Sequence, residues 1–119
     1  MSKKRIVIAE DNLDLCELLS AILTDEGYKV DTVHDGFALL SFLQKNQDIE
    51  AIILDLMMPD KGGISSFDTV RSIAPASKII IYTGYTEYKH SIYAREADAF
   101  VDKGEGPEKL IKVLEELLS

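Results

Sequence analysis

The sequence predicts an α/β fold, in which a doubly wound, five-stranded parallel sheet is flanked by five helices. Five short apolar runs alternate strictly with amphipathic segments, and the central runs are apolar at nearly every position. Continuous apolar runs are typical of parallel strands, because helices cover both faces of a parallel sheet. Right-handed crossovers leave few topologies, although the pattern itself does not give the strand order.

The predicted strands are short runs bounded by polar residues or glycine. Ile and Val, which are favoured in strands, dominate four of the five runs. The strands are predicted at Arg5–Ala9, Lys29–Val33, Ala51–Leu54, Lys78–Tyr82 and Ala99–Val101.

The predicted helices differ in how well their apolar residues follow helical spacing. The first, Leu13–Glu26, has one apolar stripe and is followed by Gly27, a residue typical of helix ends. The segment Glu87–Glu96 is the weakest helix, because it has few large apolar side chains. The stripe comprises Leu15, Leu18, Leu19, Ile22 and Leu23, and the other helices are predicted at Gly36–Asn46, at Ile64–Ile73 and from Pro107 onwards.

Chain length, net charge and cysteine content exclude several classes of protein. A chain of 119 residues is expected to form one domain, residues 1–119, with its own core. The net charge of −8 argues against nucleic-acid binding, which needs clustered Lys and Arg. The single cysteine, Cys16, excludes an internal disulfide, and the first apolar run is too short for a signal peptide or membrane span. We therefore expect a cytoplasmic domain without membrane contact.

The residues after the predicted strands are expected to determine function, because ligands of such sheets bind beyond the carboxyl ends of the strands. These positions hold three carboxylates, one hydroxyl and one ammonium group. Mg²⁺ prefers a few carboxylate or carbonyl oxygens, and a divalent ion with a lysine would relieve repulsion among the carboxylates. The five residues are Glu10, Asp11, Asp55, Thr83 and Lys103. They predict a magnesium site at this edge of the sheet.

The same residue types fit phosphoryl transfer. A carboxylate held beside a metal ion can attack phosphorus and give an acyl phosphate. The transferred group needs a metal ion, a lysine and a hydroxyl donor around its oxygens, and the chain supplies each. Taken singly, these residues have simpler interpretations: Asp11 and Asp55 as caps, and Lys103 as a solvated lysine. Their occurrence at the ends of four strands favours one shared site.

Other sites fit the sequence less well. No glycine-rich dinucleotide fingerprint follows the first strand, and the chain has no P-loop motif. A phosphatase of the haloacid-dehalogenase type would have a second Asp two residues after the nucleophile, where this chain has Met57. Cys16, His34 and His90 are too few and too scattered for a tetrahedral zinc site.

Further motifs accompany the five polar residues. The acidic pair precedes the first helix, and the remaining elements are Met58-Pro59 and Gly63 after Asp55, Gly84 after Thr83, and Ala97–Ala99 with Phe100 before Lys103. Together these motifs make the chain resemble a response-regulator receiver domain of two-component signalling over essentially its whole length. The resemblance implies a flavodoxin-like fold with strand order 2-1-3-4-5.

The resemblance also implies a role for the site. Asp55 would accept a phosphoryl group from a histidine kinase or a histidine phosphotransfer protein, and Lys103 would contact that group. Mg²⁺, with Mn²⁺ as an alternative ion, would be held by the three carboxylates and the backbone carbonyl of Met57. Such a domain is not an enzyme in its own right, since it only takes up and loses its own phosphoryl group.

The implied output is a conformational switch. Thr83 and Phe100 would form the switch pair, changing the face around Phe100 and residues 83–96 to control a downstream effector protein. Two departures from the family stand out: Glu10 replaces the usual first Asp, and Gly104 replaces a frequent proline. Phosphorylation-independent interaction and aspartyl-phosphate hydrolysis are the alternative functions.

Several surface residues are predicted from the resemblance to contact partners or water. Leu13, Leu15 and Gly104 would help to dock the phosphodonor. Tyr85 and Tyr88 would belong to a surface for an effector or for a phosphorylation-linked dimer. Bulky side chains at Met57 and Tyr85 would hinder hydrolytic water, which predicts slow self-dephosphorylation.

Overall fold

The computed structural model describes residues 3–58 and 61–119, so Pro59 lies outside the described residues. The strands form one parallel sheet in the order 2-1-3-4-5, which confirms the doubly wound, flavodoxin-like prediction. Two strands extend one residue further than predicted, because Thr83 pairs with Asp102 at their carboxyl ends. The strands are β1 (Arg5–Ala9), β2 (Lys29–Val33), β3 (Ala51–Leu54), β4 (Lys78–Thr83) and β5 (Ala99–Asp102).

The described residues form five α-helices, as predicted, together with two short 3₁₀ helices. Polar side chains fix the helix starts: Asn12 Oδ1 accepts from Leu15 N at 3.1 Å, and Asp35 Oδ1 accepts from Ala38 N at 2.8 Å. Pro107 begins the last helix. The α-helices are α1 (Leu13–Asp25), α2 (Gly36–Lys45), α3 (Gly63–Ile73), α4 (Ile92–Glu96) and α5 (Pro107–Leu118), and the 3₁₀ helices are Thr86–His90 and Lys103–Glu105.

The sheet separates two apolar layers, and β1 contributes to both. Ile6 and Ile8 pack with residues of α1 and α5, whereas Val7 and Ala9 pack with residues of α2 and α3. All four side chains are almost completely buried, and burial of apolar area at about 25 cal/mol per Å² is the main force holding such layers together. Because β1 and β3 are interior strands, residues that follow them emerge between the two helical layers.

The apolar stripe of α1 is narrower than the sequence pattern predicts. Leu19 and Leu23 are buried against the sheet, but Leu18 is 49% exposed. One residue corresponds to a rotation of about 100° around a helix. Leu18 therefore lies beyond the edge of the face on which Leu19, Leu23 and Cys16 are buried.

The predicted helix Glu87–Glu96 is divided into the 3₁₀ helix Thr86–His90 and the short α4. Ser91 causes the division: its extended backbone ends the first segment, and its Oγ accepts from Ala94 N at 3.3 Å to begin the second. The preference of serine for the N-cap position thus outweighs helix continuity. Ile92, one of the few large apolar residues of this segment, is 54% exposed.

Candidate functional site

Glu10 and Asp55 are held by hydrogen bonds that continue the sheet beyond its strands. Ala9 pairs with Leu54, and Asp55 N then donates to Ala9 O at 3.1 Å. On the other side of β1, Glu10 N donates to Val33 O at 3.0 Å. The two side chains are only 3% and 4% exposed. The fold therefore places two buried carboxylates side by side at the carboxyl edge of the sheet.

Lys103 follows β5 and joins both buried carboxylates. Its Nζ lies 2.8 Å from Asp55 Oδ2 and forms an ion pair with Glu10 Oε1. Burial alone would lower the pKa of Lys103, but the hydrogen bonds to Asp55 and Glu10 outweigh it and raise the pKa. The lysine is therefore a permanent positive charge within the acidic site.

Asp11 adds a third carboxylate to the site from an exposed position. One oxygen from each of Glu10, Asp11 and Asp55 lies within 4.8 Å of the others, and the rest of the described chain contains no other such group of three ligand side chains. All three are hard oxygen donors, which suit Mg²⁺ and related ions rather than zinc. The residues present thus fit a hard divalent cation.

The electrostatics of Glu10 support the same conclusion. Burial raises the pKa of Glu10, and hydrogen bonds from Lys103 and the Asn12 backbone only partly oppose this effect. Apart from the Lys103 ion pair, its buried Oε1 has no hydrogen-bond partner within the described residues. One ammonium group therefore does not fully compensate the buried negative charge, which leaves a place for a cation.

The backbone after Asp55 turns tightly around the carboxylate. Met57 N donates to Asp55 Oδ1 at 3.2 Å, while the Met57 side chain is 41% exposed. A Cβ on Gly63 would lie 2.4 Å from Asp55 O, so only glycine permits this close approach of α3 to the end of β3. The glycine at position 63, one of the motif residues that follow Asp55, is therefore required for steric reasons.

Thr83 and Phe100 lie on neighbouring strands. Thr83 is fully buried, and its Oγ1 accepts from Tyr85 N at 3.3 Å. Phe100 pairs with Ile81, is half-buried, and lines a cleft of about 430 Å³ with Lys89 and other residues. The hydroxyl is thus part of the buried sheet edge, whereas the aromatic ring reaches the surface.

The residues predicted to dock partners differ in exposure. Leu13 is 63% exposed and Tyr85 is 45% exposed, and Gly104 is also exposed. Leu15 and Tyr88 are half-buried and pack against the two apolar layers. Only the first three are therefore largely available to a partner.

Sequence reasoning missed two residues that contact the acidic site. Cys16 Sγ and His34 Nδ1 both approach the Glu10 carbonyl oxygen, at 3.2 and 3.0 Å. The sequence pattern gave no signal for this contact, because the two residues are 18 positions apart and meet only once β2 lies beside β1.

Comparison with known proteins identifies the family. The sequence model described as the response regulator receiver domain matches residues 6–115. The chain belongs to the response-regulator receiver domain family. This receiver domain is similar to the response regulator SaeR of Staphylococcus aureus, with 29% identity over 116 residues, covering 96% of this chain and 50% of SaeR. The chain spans half or less of the length of the curated relatives that it matches.

Solved receiver structures share the fold. The response regulator TrrA of Thermotoga maritima, in complex with Mg²⁺-BeF, has 31% identity and a TM-score of 0.86, with coverage of 96% of this chain and 98% of TrrA. The complex of the histidine kinase ThkA with TrrA matches at 33% identity and a TM-score of 0.84, covering 98% and 99% of the two chains. Of the helices within the described residues of this receiver domain, none combines the length and apolar character needed to cross a membrane.

Proposed function

We propose that this receiver domain accepts a phosphoryl group on Asp55 from a phosphohistidine donor, with Mg²⁺ as the cofactor. The position of Asp55 carries the proposal. This carboxylate is 4% exposed at the end of an interior strand, with Lys103 Nζ 2.8 Å away and two other carboxylates close by. Burying a carboxylate is costly unless it is paired or coordinated. The presence of two buried carboxylates around a single lysine therefore supports a functional role for this cluster.

The residues around Asp55 suit transfer of a phosphoryl group from a phosphohistidine to its carboxylate. A carboxylate oxygen of Asp55 attacks the phosphorus, the P–N bond of the donor breaks, and its electron pair stays with the departing imidazole. The phosphoryl group ends on Asp55 as an acyl phosphate. Lys103 Nζ already lies 2.8 Å from Asp55 Oδ2, so its ammonium group needs little movement to neutralise an incoming phosphoryl oxygen.

Glu10, Asp11 and Asp55, with the backbone carbonyl of Met57, are the proposed metal ligands. When bound, Mg²⁺ would supply positive charge to the phosphoryl oxygens. The all-oxygen donor set supports this ion and Mn²⁺ as an alternative. The solved complex of TrrA with Mg²⁺-BeF gives further support.

A switch between Thr83 and Phe100 is proposed as the output. If the Thr83 hydroxyl turned towards a phosphoryl oxygen, its contact with Tyr85 N would be lost, and the segment that begins at Tyr85 would be released. The cleft beside Phe100 offers space into which the ring can move. The face around Phe100 and residues 83–96 would then change for a downstream effector or a second copy of the chain.

The proposed phosphodonor is a histidine kinase or a histidine phosphotransfer protein. The complex of ThkA with TrrA supports the first of these. Leu13 and Gly104 are exposed close to residues of the acidic site, since they follow Glu10-Asp11 and Lys103 in the chain. We therefore propose both as donor contacts, together with the half-buried Leu15 on the same helix.

The experiment that tests the function is incubation with acetyl phosphate and Mg²⁺, followed by intact-mass measurement. The expected result is the gain of one phosphoryl group, which is abolished by chelation and by Asp55→Asn. Asp14→Asn is a matched control, because Asp14 is an exposed aspartate on α1, and this variant is expected to gain the group normally. No gain at saturating donor would favour phosphorylation-independent interaction, and continuous turnover of a phosphorylated small molecule would favour the hydrolase alternative.

A further inference from the structure

The carbonyl group of Glu10 accepts hydrogen bonds from two side chains. Cys16 Sγ lies 3.2 Å from this oxygen, and His34 Nδ1 lies 3.0 Å from it. The amide of the same residue donates to Val33 O at 3.0 Å. The backbone N–H and the backbone carbonyl of Glu10 are therefore both held by groups outside β1.

The two donors come from different elements that the fold brings together. Cys16 lies in the first turns of α1 and is only 4% exposed. His34 follows β2, and the pairing of Ala9 with Val33 places it beside Glu10. The sulfur and the imidazole nitrogen are 3.8 Å apart, in contact around a common acceptor.

The two side chains provide hydrogen-bond donors for a buried backbone carbonyl at the end of β1. Glu10 is 3% exposed and lies one residue beyond the strand, and no backbone N–H in the described part of the chain donates to its carbonyl. A buried carbonyl without a donor is costly, so side chains must provide one. The Glu10 carboxylate is also held, because its Oε2 accepts from Asn12 N at 3.0 Å. Peptide and carboxylate are thus fixed together.

We infer that Cys16 and His34 are positioning residues for the metal site: they hold the Glu10 peptide so that its carboxylate is arranged for a hard divalent cation before the cation binds. The inference rests on the proposed function of Glu10 as a ligand. Groups that orient a ligand from behind strengthen metal binding, because the ligand then loses less freedom on binding. Neither residue is among the three carboxylates proposed to bind the cation.

The contact with the Glu10 carbonyl requires that His34 carries a proton on Nδ1. A carbonyl oxygen only accepts, so His34 must donate through Nδ1–H. Asparagine can present an N–H at the position of Nδ1, whereas glutamine presents its N–H further out, at the position of Nε2. The variants His34→Asn and His34→Gln therefore separate the hydrogen bond from the bulk and polarity of the side chain.

The decisive measurement is Mg²⁺ affinity by titration calorimetry for the wild type, His34→Asn and His34→Gln. We expect His34→Gln to weaken Mg²⁺ binding by a factor on the order of three to ten, while His34→Asn stays close to the wild type. Cys16→Ala is expected to weaken binding and Cys16→Ser to retain it. Equal Mg²⁺ affinities for the two His34 variants would overturn the inference. Nitrogen NMR of the wild type gives a second check, because a neutral His34 protonated at Nε2 would also overturn it.

The same variants distinguish this inference from the proposed function. At saturating Mg²⁺, both His34 variants are expected to take up one phosphoryl group from acetyl phosphate. If the wild type takes up none, the proposed function fails, although the affinity comparison still decides whether His34 positions Glu10. If all proteins are phosphorylated and share one Mg²⁺ affinity, the positioning role alone is wrong.

Discussion

Lys103 Nζ lies 2.8 Å from Asp55 Oδ2 and pairs at the same time with Glu10, so one ammonium group serves two buried carboxylates. Asp11 adds a third negative charge within the same cluster. Removing one member of such a group leaves the others uncompensated in a poorly solvated place. The stability of the metal-free domain therefore depends on Lys103, and this dependence can be measured.

Lys103→Met is expected to lower the free energy of unfolding by about 1 to 3 kcal/mol at pH 7 without Mg²⁺. The range is below that of a fully buried pair, because the Lys103 side chain is 25% exposed. Saturating Mg²⁺ is expected to reduce the deficit, since a cation bound to the folded state stabilises it. Urea unfolding with and without Mg²⁺ measures both effects.

Lys112→Met is the matched control for this loss. Lys112 is an exposed lysine on α5, so the change removes the same charge from solvent. Surface substitutions of this kind are expected to alter stability by about 0.5 kcal/mol or less. Equal losses in the two variants would show that Lys103 does not compensate the buried carboxylates.

Gly63→Ala is expected to destabilise the domain by about 1 to 3 kcal/mol. The new Cβ would lie 2.4 Å from Asp55 O, so the start of α3 or the end of β3 must move. Gly84→Ala is the control, because a Cβ there would have no other atom within 4 Å. Urea unfolding compares the two variants, and similar stabilities would contradict the steric role assigned to Gly63.

The layout of the acidic cluster could be predicted because it depends on short-range signals. Strict alternation of strands and helices places every strand end at one edge of the sheet, whatever the strand order. Glu10, Asp11, Asp55 and Lys103 each follow a predicted strand, and the structure brings them together. Exact strand order needed the family resemblance, because the alternating pattern is compatible with several orders.

The remaining features depend on packing that the sequence pattern does not encode. Whether Leu18 is buried depends on how α1 is rotated against the sheet, and periodicity fixes this only to within a residue. The break at Ser91 depends on a cap competing with a weakly amphipathic segment. The contact of Cys16 and His34 with Glu10 requires the register of β1 with β2, which is a tertiary feature.

The thiol of Cys16 is expected to be unreactive in the folded domain. Burial, followed by the charges of Glu10 and Asp11, raises the pKa of Cys16 from 9.0 to about 11. Because only the thiolate reacts, alkylation by iodoacetamide at pH 8 is expected to be slow in buffer and fast in urea. Rapid labelling of the folded domain at pH 8 would contradict the buried, protonated thiol.

The same pKa shift predicts how stability changes in alkaline solution. A raised pKa means that the folded state holds the proton more tightly, so this contribution to stability is complete below pH 9.0 and is lost as the pH rises towards about 11. The free energy of unfolding of Cys16→Ala is therefore expected to fall less steeply than that of the wild type over this range. Parallel pH profiles for the two proteins would show that the thiol does not contribute.

The phosphorylated state is expected to be long-lived, because we propose that the bulky side chains of Met57 and Tyr85 hinder the access of hydrolytic water to the phosphoryl group. Both side chains are exposed, at 41% and 45%, so their substitution is expected to leave the core intact. A changed lifetime of the phosphorylated state would therefore report on the access of water to the phosphoryl group. Met57→Asn adds groups that can hydrogen-bond water and is expected to shorten the lifetime several-fold, whereas Met57→Leu keeps the apolar bulk and should not. Loss of the phosphoryl group is followed by intact mass after the donor is removed. A half-life of only seconds in the wild type would contradict the role of these side chains, because it would show that water already reaches the aspartyl phosphate freely.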